Sequence, residues 1–207
     1  MIDLPLLAAF LVAATILTLT PGVDTAMVLR AATVEGRRSA VLAALGIALG
    51  CLVWGAAVAL GLGALLRASE LAYTLVRLAG AAYLLWLGVK LLIHPRQALE
   101  MGDAEAGHVG QGAFWRGLLT NLLNPKIGVF YVTFLPQFIP TGAPVALYTL
   151  FLVSLHDLLG LIWFAALIGA TLPLGRFLRR PRAVRTLDRM TGAVFVAFGL
   201  RLALSSR

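Results

Sequence analysis

Charge is scarce in this sequence. Only 13% of its 207 residues are charged, against about 25% in an ordinary soluble domain. A globule of this length would lack the polar residues to cover its own surface, which excludes a soluble enzyme, a disordered tail and a water-exposed repeat protein. Cysteine is almost missing as well. Cys51 stands alone in an apolar run, so there is no internal disulfide and no paired metal or redox motif. The chain also lacks a glycine-rich nucleotide loop, a cluster of metal ligands, and a nucleophile with a neighbouring base. No cofactor and no metal are expected, and neither ATP-driven transport by this chain alone nor hydrolytic catalysis is supported. What is abundant is apolar: 60% of the residues are hydrophobic and the mean hydropathy is +0.93. This describes an all-α integral membrane protein of one compact domain.

The net charge of +8 and pI near 10.8 invite a nucleic-acid reading, which the placement of the charges opposes. Six of the 17 basic residues fall between Arg176 and Arg189, between two apolar segments. A nucleic-acid domain needs a basic face with a soluble fold behind it. Clustered Lys and Arg in short loops instead set membrane orientation.

Breaks in hydrophobicity predict six transmembrane helices: Leu4 to Val23, Ser39 to Leu66, Leu71 to Ile93, Phe114 to Phe138, Val145 to Leu174 and Met190 to Leu204. The second is 28 residues without a charge. The last is short and is expected to borrow residues from the Arg-rich segment before it, whose side chains would snorkel. The first has only Asp3 ahead of its apolar core and no small-residue cleavage site, so it is expected to remain as a helix. Six spans put the loops around 30–38, 90–116 and 176–189 on one side. Those loops hold 12 Lys and Arg residues, against four on the other side (Arg67, Arg77, Arg201 and Arg207). The bias puts the loops in the cytoplasm and both termini outside. Segment 94–113, with Glu100, Asp103, Glu105 and several glycines, reads as a cytoplasmic linker between halves 1–93 and 114–207.

The halves resemble each other. Arg77-Leu78-Ala79-Gly80-Ala81-Ala82-Tyr83 matches Arg189-Met190-Thr191-Gly192-Ala193-Val194-Phe195. After a one-residue slip, Leu87-Gly88-Val89-Lys90-Leu91 matches Phe198-Gly199-Leu200-Arg201-Leu202. Each half also opens with a span interrupted at a proline, Pro21 or Pro125. Three helices per half is an odd number, so the second copy must enter from the opposite side. The expected fold is therefore two inverted three-helix repeats with a broken first helix in each, a construction used by secondary transporters. Shared Gly-Ala composition is the competing explanation.

Broken helices persist in hydrocarbon only against protein or a wet cavity. In Thr20-Pro21-Gly22-Val23-Asp24, Pro21 removes a donor, Gly22 permits an unusual backbone, and Asp24 can cap the helix that restarts. In Asn121-Leu122-Leu123-Asn124-Pro125-Lys126, two amides can satisfy freed backbone groups. Asp24, Lys126 and Asp157 cannot easily be drawn to a membrane surface, and intramembrane charges usually face an interior. Asp24 and Lys126 hold near-equivalent places with opposite charge, so a zwitterion would suit them. Its carboxylate would meet Lys126 and a helix N-terminus, and its ammonium would meet Asp24 or an Asn oxygen. A permanent salt bridge between the two is the alternative. Asp157, near the middle of the fifth span, is a candidate proton carrier, with hydrogen-bonded packing as its alternative, while His156 reads more as structural. Gly46-x-x-x-Gly50 and Ala165-x-x-x-Gly169 are expected to admit close helix packing. Trp54, Trp86, Trp115 and Trp163 read as core or interface anchors.

Several stretches together resemble the LysE/RhtB family of amino-acid exporters. They are Leu19-Thr20-Pro21-Gly22 with Asp24, Gly36-Arg37-Arg38, Gly46-Ile47-Ala48-Leu49-Gly50, Gly80-Ala81-Ala82-Tyr83-Leu84 with Gly88, Asn124-Pro125-Lys126, Phe134-Leu135-Pro136-Gln137-Phe138 and Gly192-Ala193. The likeness runs from about Leu4 to Leu204. One departure is Val23, where the family usually has a second proline. The resemblance implies a six-helix exporter of small amino acids or their derivatives, not an enzyme, in the bacterial cytoplasmic membrane. It implies proton antiport and a branch nearer the homoserine, threonine and leucine exporters than the lysine and arginine ones. Expected partners are the substrate, protons and membrane lipid, without nucleic acid, and a homodimer is compatible with such a chain. A cation or metal exporter of the wider superfamily would need His, Cys or carboxylate clusters. A membrane-embedded enzyme or redox carrier would need a nucleophile-base set or paired cysteines.

Overall fold

The computed structural model describes residues 3–68, 70–96, 112–178 and 180–204. The described residues are helical and contain no strand. Helix α1 (Leu4–Leu19) starts at Asp3, whose carboxylate accepts the Leu6 amide at 3.0 Å. Such an N-cap satisfies a donor that the first turn leaves orphaned. Helix α1 stops before Pro21, and the chain restarts as α2 (Val23–Arg30), which passes into a π-helical turn, Ala31–Glu35. Gly36, at φ 96°, then turns the chain into α3. A side chain there would be strained in the left-handed region.

Helices α3 (Arg37–Ala68) and α4 (Glu70–Ile93) follow. A second broken pair follows, with α5 (Ala113–Leu122), α6 (Pro125–Val129), a π-helical turn (Phe130–Phe134) and a 3-10 turn (Leu135–Phe138). It ends in α7 (Val145–Gly169), α8 (Thr171–Leu178) and α9 (Pro181–Leu204). The two broken pairs bend by 52° and 50°.

Within Arg37–Gly61 and Val145–Gly169, α3 and α7 are each long and apolar enough to cross a membrane, and each bent pair could serve as one further span. Three segments differ from the expected boundaries. The first broken span continues past Val23 to Glu35, because α2 and its π turn prolong it. The fifth ends at Gly169, after which Thr171–Leu178 forms its own short helix. The last begins at Pro181, so most of the Arg-rich segment is helical. Most of the expected linker, residues 97–111, lies outside the described residues.

Packing joins elements from distant parts of the chain. Helix α3 lies against α5 and α7, and α4 lies along α9. The first contact depends on missing side chains: a Cβ on Gly46 would sit 2.0 Å from the Phe114 carbonyl oxygen, and one on Gly117 would sit 2.2 Å from that of Ala43. Gly88 and Gly192 are equally close, each Cβ position falling 2.8 Å from the other's carbonyl oxygen. Small residues let transmembrane backbones approach in this way. The Ala165-Gly169 pair does not act so, because nothing described lies within 4 Å of a Cβ on Gly169. A buried aromatic stack, Phe10 with Phe130, Phe134 and Phe138, ties α1 to the second broken pair, and Phe198 of α9 closes it with centroids 4.4 Å from Phe134. Many large apolar residues face outward, including Leu60, Trp86 and Ile162, as a lipid-facing surface requires.

Gly46→Ala is expected to push α3 from α5 and to lower folded yield and thermal stability sharply. Gly169→Ala should be nearly neutral. Detergent thermal denaturation of the two variants checks the contrast.

Candidate functional site

Proline at position 21 has a specific electrostatic result. The carbonyl of Leu17 would normally accept the amide four residues on, and that residue is Pro21, which has no N–H. Lys126, from the other broken pair, supplies the missing donor. Its ammonium donates to Leu17 O and Thr20 O, both at 2.8 Å. A cation at the C-terminal end of a helix is also favoured by the macrodipole. The lysine reaches this place because Asn124 starts α6 one turn away. The Asn124 side chain accepts the Lys126 amide at 3.0 Å, so Asn124 caps the restarted helix as one of the freed-donor partners expected of it.

The third exposed carbonyl at the first break, that of Pro21, accepts from the Arg96 guanidinium at 2.6 Å. Arg96 also grips Asp188 through Nε at 3.0 Å, Nη2 at 2.6 Å and its backbone amide at 2.9 Å. Asp188 is fully buried on α9. Close by, the Thr20 hydroxyl bonds to the Ile16 carbonyl at 2.8 Å and pairs with the Thr191 hydroxyl. The break is thus fastened to α9 on one side and to α6 on the other. Sequence reasoning treated Arg96 only as a topology charge and did not single out Asp188. Pairing across 92 residues leaves no local spacing signal.

Asp24 lies in the first turn of α2, where the helix dipole favours a negative charge. It does not cap that helix; Gly22 holds the N-cap position and makes no side-chain bond. Asp24 is buried, and its Oδ2 accepts from Asn121 Nδ2 at 2.9 Å. The same amide also lies 3.4 Å from Cys51 Sγ. The other oxygen of Asp24 is buried without a partner among the described residues. No ion pair joins Asp24 to Lys126; each is held by its own neighbours.

Both nevertheless line one cavity, about 50 Å³ in volume and partly open to the outside. Thr20, Gly22, Asn124 and Asp157 share the lining with them. Asn121, Pro21 and Pro125 support the wall from behind: Asn121 bonds to Asp24, and the two prolines break the helices. Asp157 is half-buried on α7 and makes no hydrogen bond or ion pair with the other described residues. His156, also on the lining, pairs through Nδ1 with the Tyr131 hydroxyl at 3.0 Å. Cys51 and Trp163 reach the cavity too. Neither was legible as a site residue, since each sits in an apolar run and only helix rotation decides which way it faces. Among the described residues, no group of three His, Cys, Asp or Glu side chains is placed to hold a metal ion.

Two ion pairs connect the three basic segments. Arg116 pairs with Glu35 at 2.6 Å, and Arg96 with Asp188, linking residues 30–38, 90–116 and 176–189.

Arg96→Ala should destabilise the protein by about 3–5 kcal/mol, because it strands a fully buried carboxylate. Asp188→Ala should cost less, since the Arg96 side chain is 33% exposed and can turn to water. The double variant should be milder than Arg96→Ala alone, in the same detergent denaturation assay.

Comparison with known proteins adds three findings. A family model described as LysE type translocator matches residues 15–206. A leucine efflux protein of Enterobacter sp. (strain 638) is 32% identical, over 94% of this chain and 93% of its own. A threonine efflux protein of Salmonella typhi is 30% identical, over 90% and 92%, and an uncharacterized membrane protein of Bacillus subtilis (strain 168) is 28% identical, over 96% and 99%. No solved structure matches the chain.

Proposed function

This chain belongs to the LysE type translocator family, and on that premise we propose that it exports small amino acids or their derivatives, of the neutral type, across the cytoplasmic membrane by proton antiport. As a translocator it is a membrane transporter and not an enzyme. The efflux proteins named for leucine and threonine among its relatives support the substrate class. The observation that carries the reading is the meeting of two broken helices at one cavity, with Asp24 and Lys126 on its wall and not paired with each other.

The site acts through complementary charge. A zwitterion places its carboxylate toward Lys126 and its ammonium toward the unpartnered oxygen of Asp24. Asn121 orients that carboxylate, and Asn124 with Pro125 starts the helix that presents Lys126. Thr20, Pro21 and Gly22 form the matching break. Asp157 carries the coupled proton; its lack of hydrogen-bond partners among the described residues favours this over a packing role.

The architecture is six transmembrane helices in two inverted repeats, 1–93 and 114–207, joined by the cytoplasmic linker 94–113, with α4 and α9 as the third and sixth spans. Support comes from reciprocal packing. Gly88 lies against Val196 and Gly199 against Leu85, and these positions correspond once the one-residue slip is applied. With the three basic segments connected by ion pairs, the positive-inside bias puts them in the cytoplasm and both termini outside.

Asp24→Asn and Lys126→Ala should each reduce efflux to background while the protein stays in the membrane. Wild-type efflux from either would remove that residue from the mechanism. Asp157→Asn should uncouple efflux from the pH gradient. Efflux from loaded vesicles against an amino-acid panel, with and without a proton gradient, reads all three.

A further inference from the structure

Lys126 rests on two backbone carbonyls and not on a carboxylate, and this arrangement says more about what the cavity recognises. The carbonyls of Leu17 and Thr20 end α1 and gather the negative end of its dipole. Each is 2.8 Å from the lysine ammonium, so their spacing demonstrably fits a primary ammonium. The third acceptor on the same cavity lining is Asp24, whose Oδ1 is buried and unpartnered among the described residues, in a side chain over nine-tenths buried. The lysine stem passes beside Gly22, where an added Cβ would lie 3.7 Å from its Cδ. Nothing covalent or ionic locks it.

We infer that the Leu17 and Thr20 carbonyls, with Asp24, form the ammonium subsite of the cavity, and that Lys126 holds this subsite until a substrate ammonium displaces it. The inference rests on the amino-acid export reading above and specifies how that site selects its ligand. Exchanging one primary ammonium for another keeps every hydrogen bond, so the exchange itself is nearly balanced. What decides the outcome is the fate of Lys126. Once displaced in a low-dielectric cavity, its charge needs a new partner, and only a ligand that also carries a carboxylate brings one. A simple amine or an inorganic cation strands the lysine and is rejected; a carboxylate without an ammonium leaves the two carbonyls unfilled. Lys126 is thus a tethered competitor that makes recognition of the two ends of a zwitterion interdependent.

The test compares purified wild type with Lys126→Met by thermal shift, with ethylammonium as the probe and tetramethylammonium as a control that has no N–H. Ethylammonium should bind Lys126→Met at least about tenfold more tightly than wild type, and tetramethylammonium should shift neither. Equal ethylammonium binding to both proteins, or none to folded Lys126→Met, overturns the inference. If Lys126→Met folds only when extracted with ethylammonium, the inference is supported. If it folds under neither condition, Lys126→Gln takes its place, its shorter and neutral amide competing for the carbonyls far more weakly than an ammonium. The same tenfold gain over wild type is expected, and no gain overturns the inference. Export of the amino-acid panel by wild type separates the two ideas. A gain of ethylammonium binding without any amino-acid export sinks the exporter reading alone, whereas export without the gain sinks the ammonium subsite alone.

Discussion

A proline in a hydrocarbon-spanning helix leaves a carbonyl that lipid cannot satisfy, and the rest of this structure is arranged around that constraint. Pro21 deprives Leu17 O of its donor, and the turn that follows frees the carbonyls of Thr20 and Pro21 as well. In an apolar medium each orphaned carbonyl would cost several kcal/mol. Two cations from distant parts of the chain meet the need, Lys126 for Leu17 and Thr20, and Arg96 for Pro21. Each cation must itself be placed by something. The cap at Asn124 places Lys126, and the buried carboxylate of Asp188 places Arg96. A single backbone defect therefore draws α1, α6 and α9 to one point.

Close packing is what allows so few polar groups to suffice. Where α3 meets α5, and α4 meets α9, glycine removes the side chains that would hold the backbones apart. The aromatic stack around Phe134 then fills the space between the first helix and the second broken pair. The broken helices leave the cavity, and its lining joins Thr20, Asn124 and His156 to the charged Asp24, Lys126 and Asp157. The same interruptions that endanger the fold thus create part of the chemistry the cavity has to offer a small polar solute.

Most of the architecture could be read from the chain because hydrophobic runs and prolines are local signals. The helical class, the long apolar helices and the breaks at Pro21 and Pro125 follow directly from them. Boundaries were less legible. The first broken span runs on to Glu35 because its apolar pattern gives way to a π turn and not to a loop, whereas the charge of Asp24 ended the apolar run at Val23 in the sequence. The roles within the break were also only half legible. Asp24 had the composition of a cap, yet Gly22 takes that position and Asp24 turns to Asn121.

By itself, then, the sequence determined that the chain is apolar and helical and where its helices break. These properties depend on residue type and on neighbours along the chain. Only the tertiary structure decided that Lys126 caps α1 and does not pair with Asp24, that Arg96 and Asp188 fasten the break, and that Cys51 and Trp163 face the cavity. Those outcomes depend on helix rotation and on contacts between residues about a hundred positions apart. Neither leaves a periodic trace in the amino-acid order.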